Sequence, residues 1–310
     1  MPTINVSRQI DIDVPINTVY PLITEFKHWP SWSPWLCQER EAQIDYHGPD
    51  GEVGSGYSWS GTRIGAGSMQ LSKASPEHIA CDLSFLKPFK SQAEVNFHLE
   101  KLSDESCRVQ WSMQSALPFF LFWMKKPFEA YIGGDYTRGL SMLKELAETG
   151  EVKSEVLVEA ISELPATDYI ALSGHGTLAE LGPIMQQNYP KLESAVAEQK
   201  LTQTGPAFCH YTVMDPVRDR WQFIVALPIS GDAATPGFER GTRPALKKCA
   251  RVTHLGHYQH LGNAWATAFA WMKAEKQQHL KKMGGFELYY DRSSENDETK
   301  VRTEIYVPLK

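Results

Sequence analysis

Residues 10–26 read Ile10-Asp11-Ile12-Asp13-Val14-Pro15-Ile16-Asn17-Thr18-Val19-Tyr20-Pro21-Leu22-Ile23-Thr24-Glu25-Phe26, and their periodicity changes once, at Pro15. Before the proline, apolar and acidic residues alternate, which is the pattern of a strand with one buried face. After it, Val19, Leu22, Ile23 and Phe26 recur at helical spacing, with Pro15 or Asn17 near the helix start. Further alternating segments follow: Tyr57 to Trp59, Ser68 to Leu71, Ile79 to Phe85, Val95 to Leu99, and Val109 to Met113. Each has one large apolar face and one polar face, the mark of an antiparallel sheet covered on one side. Between Pro127 and Glu148, the positions Ile132, Tyr136, Leu140, Leu143 and Leu146 form one stripe of a long helix. The pattern predicts a curved antiparallel sheet gripping that helix, in a domain spanning residues 1–148.

Residues 149–155 are polar and charged and are read as a linker, after which residues 156–310 form a second domain. Strands are expected at Val156 to Glu159, Ile170 to Leu172, Phe208 to Val213 and Trp221 to Leu227. A helix is expected over Leu178 to Ala197, although Pro183 and Pro190 interrupt it. The same order then recurs: strand Ala250 to Thr253, helix Leu261 to Leu280, strands Phe286 to Tyr290 and Val301 to Val307. Gly176 and Gly256 match, Pro228 and Pro308 match, and Tyr211 and Tyr290 precede those prolines by nearly equal distances. The second domain therefore reads as a duplicated β-α-β-β unit with pseudo-twofold symmetry. The fold class is α+β in both halves.

Composition bounds the function. The chain has 310 residues and a net charge of −6, with −5 in the first 150 residues and −1 in the rest. Neither half is a basic module, so nucleic acid is not an expected partner. Five scattered cysteines without a C-x-x-C pair suit a reducing compartment without disulfides. The segment Met1 to Arg8 lacks the apolar run of a signal peptide. The longest apolar run, Ala116 to Met124, is nine residues with a proline inside, well short of the roughly 20 needed to span a bilayer. The expectation is a cytoplasmic protein without stable membrane insertion; oligomeric state is left open. Phosphate-loop, dinucleotide, zinc-protease and serine-hydrolase motifs are all missing. No cofactor is implied. His254, His257 and His260 form H-x-x-H-x-x-H, but the segment crosses from strand to helix, so no metal site is expected.

In the first half, Val19-Tyr20-Pro21-Leu22-Ile23 followed by Phe26-Lys27-His28-Trp29-Pro30-Ser31-Trp32-Ser33-Pro34-Trp35 resembles the SRPBCC superfamily, the START-like helix-grip domains often labelled polyketide cyclase. Gly56 to Gly61, Gly65 to Met69, Lys87-Pro88-Phe89 and Trp111-Ser112-Met113 support the resemblance. It implies an apolar cavity between sheet and final helix, without implying one activity. In the second half, His254-Leu255-Gly256-His257-Tyr258-Gln259-His260-Leu261-Gly262-Asn263-Ala264-Trp265 resembles the GyrI-like domain, the effector-binding domain of AraC- and MerR-type regulators. Gly174 to Gly182 is a weaker first copy, and Thr303 to Leu309 matches the family's ending. The resemblance implies a groove between the two copies for drug-like, often cationic and aromatic molecules. It also implies an acidic residue at the position of Glu304 that meets the cation, with Tyr258 lining the groove. Some stand-alone members are similar to hydrolases that open cyclopropane rings. This chain lacks the helix-turn-helix segment of the regulators.

The candidate ligand residues follow. On the last strand Glu304 alternates onto one face with Arg302 and Tyr306, where a carboxylate among aromatics would attract a cation. The competing reading is an edge carboxylate paired with Arg302. Tyr258, Trp265, Trp221 and Tyr290 are groove candidates; Tyr258 reads equally as helix–sheet packing, and for Trp265 packing is the preferred reading. In the first domain, Trp59, Met69, Phe85, Phe97, Trp111 and Met113 share the inward face and are candidates to line an apolar pocket or to be plain core. Glu94 and His98 fall on the outward strand phase, and no acid–base pair for a cyclase emerges. The stretch Leu117 to Met124, followed by Lys125 and Lys126, reads as a lid over the cavity, a patch that touches lipid, or a buried connection. The preferred function is small-molecule binding by two tandem domains, for hydrophobic, aromatic or cationic compounds. The alternatives are a hydrolase with Glu304 as general base and a ligand-dependent partner of a regulator.

Overall fold

The structure, a computed structural model, describes residues 3–87, 90–231, 236–291 and 301–310. Pro88 and Phe89, part of one recognition stretch, lie outside the described residues. The chain divides into two compact units, Met1–Lys153 and Ser154–Lys310.

The first unit contains β1 (Thr3–Ile12), α1 (Ile16–Thr24), α2 (Trp29–Trp32), β2 (Gln43–His47), β3 (Gly56–Ser60), β4 (Ala66–Ser75), β5 (His78–Lys87), β6 (Ser91–Lys101), β7 (Cys107–Ala116) and α3 (Lys125–Thr149). Its seven strands form one sheet in the order β1-β7-β6-β5-β4-β3-β2, antiparallel throughout. The change of period at Pro15 is the junction of β1 and α1, since the proline fixes an extended φ and leaves no amide to continue the ladder. α3 lays Tyr136, Leu140, Met142 and Leu143 onto the sheet. It comes close because Gly139 has no side chain: a Cβ there would stand 2.7 Å from the Trp111 ring.

The tryptophan-rich stretch 29–35 is the plug between sheet and helix. Trp29 and Trp32 are fully buried, and their indole N–H groups donate to the carbonyls of Ile23 at 2.9 Å and Leu22 at 3.0 Å. Trp35 donates to Asp135 on α3 at 3.0 Å. Each large ring thereby buries its apolar body without orphaning its polar edge.

The second unit contains β8 (Ser154–Leu164), β9 (Thr167–Gly176), α4 (Leu178–Glu198), β10 (Thr202–Gln203), β11 (Ala207–Asp215), β12 (Arg220–Ser230), β13 (Glu239–Arg243), β14 (Leu246–Gly256), α5 (Leu261–Ala274), β15 (Gly285–Tyr289) and β16 (Arg302–Pro308). The sheet runs β13-β9-β12-β11-β15-β16-β14-β8, with β10 paired to β12 at one end. This order is a palindrome about the β11–β15 pair, as a duplication requires. Apart from the two-residue β10, each copy has one strand more than the β-α-β-β set, and these leading strands are exchanged: β8 pairs with β14 of the second copy, β13 with β9 of the first. Pro183 and Pro190 do not break α4, whose start is fixed by a capping box between Thr177 and Glu180.

Candidate functional site

The central pair of the second sheet decides what lies between the two helices. Along β15, Gly285-Phe286-Glu287-Leu288-Tyr289, alternate residues face opposite sides. Glu287 and Tyr289 face the helices, together with Cys209 and Tyr211 of β11 and Trp221 and Phe223 of β12. Phe286 and Leu288 face the other side, with Phe208 and Tyr306.

Glu287 is 3% exposed. It accepts hydrogen bonds from the Trp265 indole at 2.5 Å and the Tyr211 hydroxyl at 3.1 Å, and a third from the Tyr289 hydroxyl. All three donors are neutral, and no cation pairs with it among the described residues. Burial raises its pKa above the ordinary carboxylate value, opposed by those three hydrogen bonds. An ionised carboxylate in this place is a charge awaiting a counter-charge.

The surroundings are aromatic and only partly covered. Tyr189 and Met185 of α4, Trp265 of α5, Trp221 and Tyr289 are half-buried around the buried carboxylate. Tyr289 stands edge-on to Tyr189 at 5.9 Å and to Tyr258 at 5.7 Å, and Tyr211 edge-on to Trp265 at 5.7 Å. Tyr258 is held by its hydroxyl on the Asp291 carbonyl at 2.8 Å. The hydroxyl of Tyr189 is buried with no hydrogen-bond partner. The floor is held by Gly284, whose φ is +60° and whose missing Cβ would stand 1.8 Å from the Tyr211 carbonyl oxygen.

Sequence reading placed the acidic residue elsewhere. Glu304 lies on the opposite face of the sheet, opposite Leu288 in the register. Its carboxylate accepts from Arg251 at 2.7 Å and from the Tyr306 hydroxyl at 2.8 Å, so its cation is already supplied by the protein. The partner is Arg251 and not Arg302, whose guanidinium instead sits 4.0 Å over the Tyr290 ring. Tyr290 and Tyr306 therefore belong to the Glu304 side, while Tyr258, Trp265 and Trp221 belong to the Glu287 side. The symmetry match of Tyr211 is Tyr289, since the five-residue β11–β15 pairing is centred on Cys209 and Glu287. Glu287, Tyr289, Tyr211, Tyr189 and Met185 escaped sequence reading. The available signal was a lone acid in the otherwise apolar five-residue strand at 285–289.

The three histidines diverge. His254 is fully buried and bonded to Ser154 at 3.1 Å, His257 accepts from the Gln259 amide, and His260 meets the Gln259 side chain. No cluster able to hold a metal occurs among the described residues.

The first unit gives a different answer for its candidates. Phe97 and Trp111 are fully buried and stacked on each other at 5.1 Å. Trp111 also stacks on Tyr136 at 4.0 Å and meets Trp29, Trp32 and Trp35 edge-on. These two side chains are spent on packing and have no surface left for a ligand. Met69 and Met113 are buried in the same cluster. Trp59 and Phe85 are half-buried and edge-on at 6.0 Å at one end of the sheet. Glu94 and His98 point outward and are exposed.

Comparison with known proteins agrees with the two architectures. Residues 160–310 match the family described as GyrI-like small molecule binding domain. Residues 3–148 match the family described as polyketide cyclase / dehydrase and lipid transport. None of the curated proteins matches the chain. Among solved structures, the EcmrR–DNA complex is similar at 16% identity, covering 61% of this chain and 69% of that one with a TM-score of 0.44. The EcmrR C-terminal domain is similar at 18% identity, covering 50% and 98%, with a TM-score of 0.43. The Aha1 dimer from Colwellia psychrerythraea is similar at 18% identity, covering 47% and 98%, with a TM-score of 0.36. No helix of the described residues is long and apolar enough to cross a membrane.

Proposed function

Because the chain joins a polyketide cyclase-type domain at residues 3–148 to a GyrI-like small molecule binding domain at residues 160–310, we propose that it captures lipophilic aromatic cations in the groove between α4 and α5. The observation that supports this is the solvation of Glu287: a buried carboxylate held by three neutral donors, ringed by half-buried aromatics. Aromatic faces attract a cation through their quadrupole and supply apolar area for its substituents. The carboxylate supplies the full charge. The role that follows is sequestration or sensing of such compounds, with the ligand selected by flat apolar shape plus one positive charge.

A hydrolytic reading would rest on the same buried carboxyl, held by three neutral donors with no cation beside it among the described residues, whose burial raises its pKa and makes it a better proton acceptor. In that reading the base is Glu287, because Glu304 is engaged by Arg251. The test is calorimetric titration with tetraphenylphosphonium and its neutral relative triphenylphosphine oxide, with mass spectrometry of the recovered ligand. Tight binding of the cation, weak binding of the neutral compound and unchanged ligand mass are expected. Equal affinity for the two would sink the cation reading.

A further inference from the structure

The segment between β7 and α3, Phe119-Phe120-Leu121-Phe122-Trp123-Met124, is one short 3₁₀ helix. In a 3₁₀ helix, side chains three apart eclipse, so six residues form three rows. The row of Leu121 and Met124 is half-buried, and Leu121 packs on the core of the first unit. The other two rows point away from the protein: Phe119 is 76% exposed and Phe122 60%, Phe120 73% and Trp123 63%. Phe119 and Phe122 lean on each other, with ring centroids 6.1 Å apart. Tyr131, farther along α3, and Leu86, at the end of β5, are exposed as well. Scattered exposed apolar residues are ordinary, but four adjacent aromatics on a protrusion are not.

The charges are sorted about this protrusion. The strand register puts the end of β5, the start of β6, the end of β7 and the start of α3 at one end of the unit. That end bears the exposed lysines Lys87, Lys90 and Lys126, with Lys125 beside them in an i,i+4 pair with Glu129 at 3.7 Å. The opposite end holds the β6–β7 turn with Asp104 and Glu105, the end of β1 with Asp11 and Asp13, and the end of α3 with Glu145 and Glu148. The far end thus carries an acidic cluster, partly paired with Lys101, Arg108 and Lys144, while Glu94 and Glu129 lie on the tip side among the four lysines.

We propose that the 119–124 segment is a reversible membrane-docking tip, seating its two aromatic rows in the interface of an anionic bilayer while the flanking lysines meet the headgroups. Aromatic rings and lysines at one level match the two layers of a lipid interface, apolar below and anionic above. The docked row of Leu121 and Met124 keeps the helix fixed to its unit, so that insertion needs no unfolding. A protrusion with rings splayed on two sides suits penetration into a fluid surface better than contact with a flat protein face.

Flotation of the full chain with phosphatidylcholine vesicles, and with vesicles containing about a third phosphatidylglycerol, tests this. Binding is expected to the anionic vesicles, falling as salt is raised. The double variant Phe120→Ser/Trp123→Ser is expected to lose about tenfold or more in binding. Lys125→Glu/Lys126→Glu is expected to lose several-fold on anionic vesicles only. Brominated lipid is expected to quench a component of tryptophan fluorescence that Trp123→Phe removes while that variant still floats. These positions are on the surface, so a thermal melt serves to show that each variant is folded. Absence of flotation, or flotation unchanged in the serine variant, would overturn the proposal. So would a concentration-dependent dimer that the serine variant dissolves without any vesicle binding, since the tip would then be a contact between copies of the chain.

Discussion

Replacing Glu287 by Gln tests the reading of the second unit most directly, because the amide keeps the size and shape of the carboxylate, removes the charge, and turns one acceptor oxygen into a donor that the Tyr211 and Tyr289 hydroxyls can accept. A cation about 4 Å from a carboxylate is attracted by about 4 kcal/mol at an effective dielectric of 20. Dehydrating the cation and displacing existing partners offset part of this, and charge-assisted contacts in proteins are worth about 1.5–3 kcal/mol net. A loss of about 2–3 kcal/mol is expected, which is roughly 30- to 150-fold in affinity for tetraphenylphosphonium. The affinity for triphenylphosphine oxide is expected to stay within about twofold, since the buried area is the same. The pH dependence supplies a second arm. Burial raises the Glu287 pKa, so at low pH a cation must displace a proton and affinity is expected to rise with pH through that value. Stability of the ligand-free protein moves the other way: the raised carboxyl contributes stability below the ordinary value of 4.5, and this is lost as pH rises through the folded value. Glu287→Gln is expected to flatten both slopes. Calorimetry in buffers of different ionisation enthalpy reads the released proton. If the variant binds the cation as the parent does, or loses cation and neutral compound alike, Glu287 is not the counter-charge.

Three further outcomes are expected. Glu304→Gln removes the buried partner of Arg251 and should cost about 1–3 kcal/mol in thermal stability, discounted because Arg251 is partly exposed, while cation affinity stays put; a large affinity loss without destabilisation would restore Glu304 as the ligand site. Trp111→Ala empties the centre of the first unit and should cost about 3–5 kcal/mol of that unit's stability with no change in cation binding by the full chain; a stable variant would mean the ring lines open space. His254, buried and pushed down to about 4 from 6.5, must stay neutral in the fold, so its contribution is full above pH 6.5 and decays as pH falls towards 4, about 3 kcal/mol in all; denaturation of His254→Asn between pH 7 and 4 should show a flatter decline.

The elements were legible because each has a face. Alternation along β4 to β7 and the stripe on α3 follow from burying one side of a regular element, and a period survives in a sequence whatever the tertiary detail. The duplication was legible for the same reason, through Gly176 with Gly256 and Pro228 with Pro308. The site was less so. Strand phase gives the face of Glu304 correctly relative to Arg302 and Tyr306, but says nothing of which face looks at the helices. Nor does it show Arg251, one strand over, whose guanidinium pairs with Glu304 on the face away from the helices. The first unit shows the reverse limit. Phase puts Phe97 and Trp111 inside, yet only the 29–35 stretch and Tyr136, distant in sequence, determine that the space is filled.

The duplicated sheet also explains why one copy had to differ. The pairing of β11 with β15 is centred on Cys209 and Glu287, which stand directly across from each other at the pseudo-twofold axis. A faithful repeat would place two carboxylates about 5 Å apart in a buried site. Like charges at that spacing disfavour each other's ionised form, and one of the two would have a strongly raised pKa. With cysteine opposite, whose thiol burial also keeps protonated, Glu287 has no anionic rival for an incoming cation. The flanking aromatics can remain duplicated, as Tyr211 and Tyr289 are, because rings on both sides add to the attraction instead of opposing it. Symmetry thus duplicates the tyrosines on either side, while the Cys209–Glu287 difference at the axis leaves a carboxyl on one copy only.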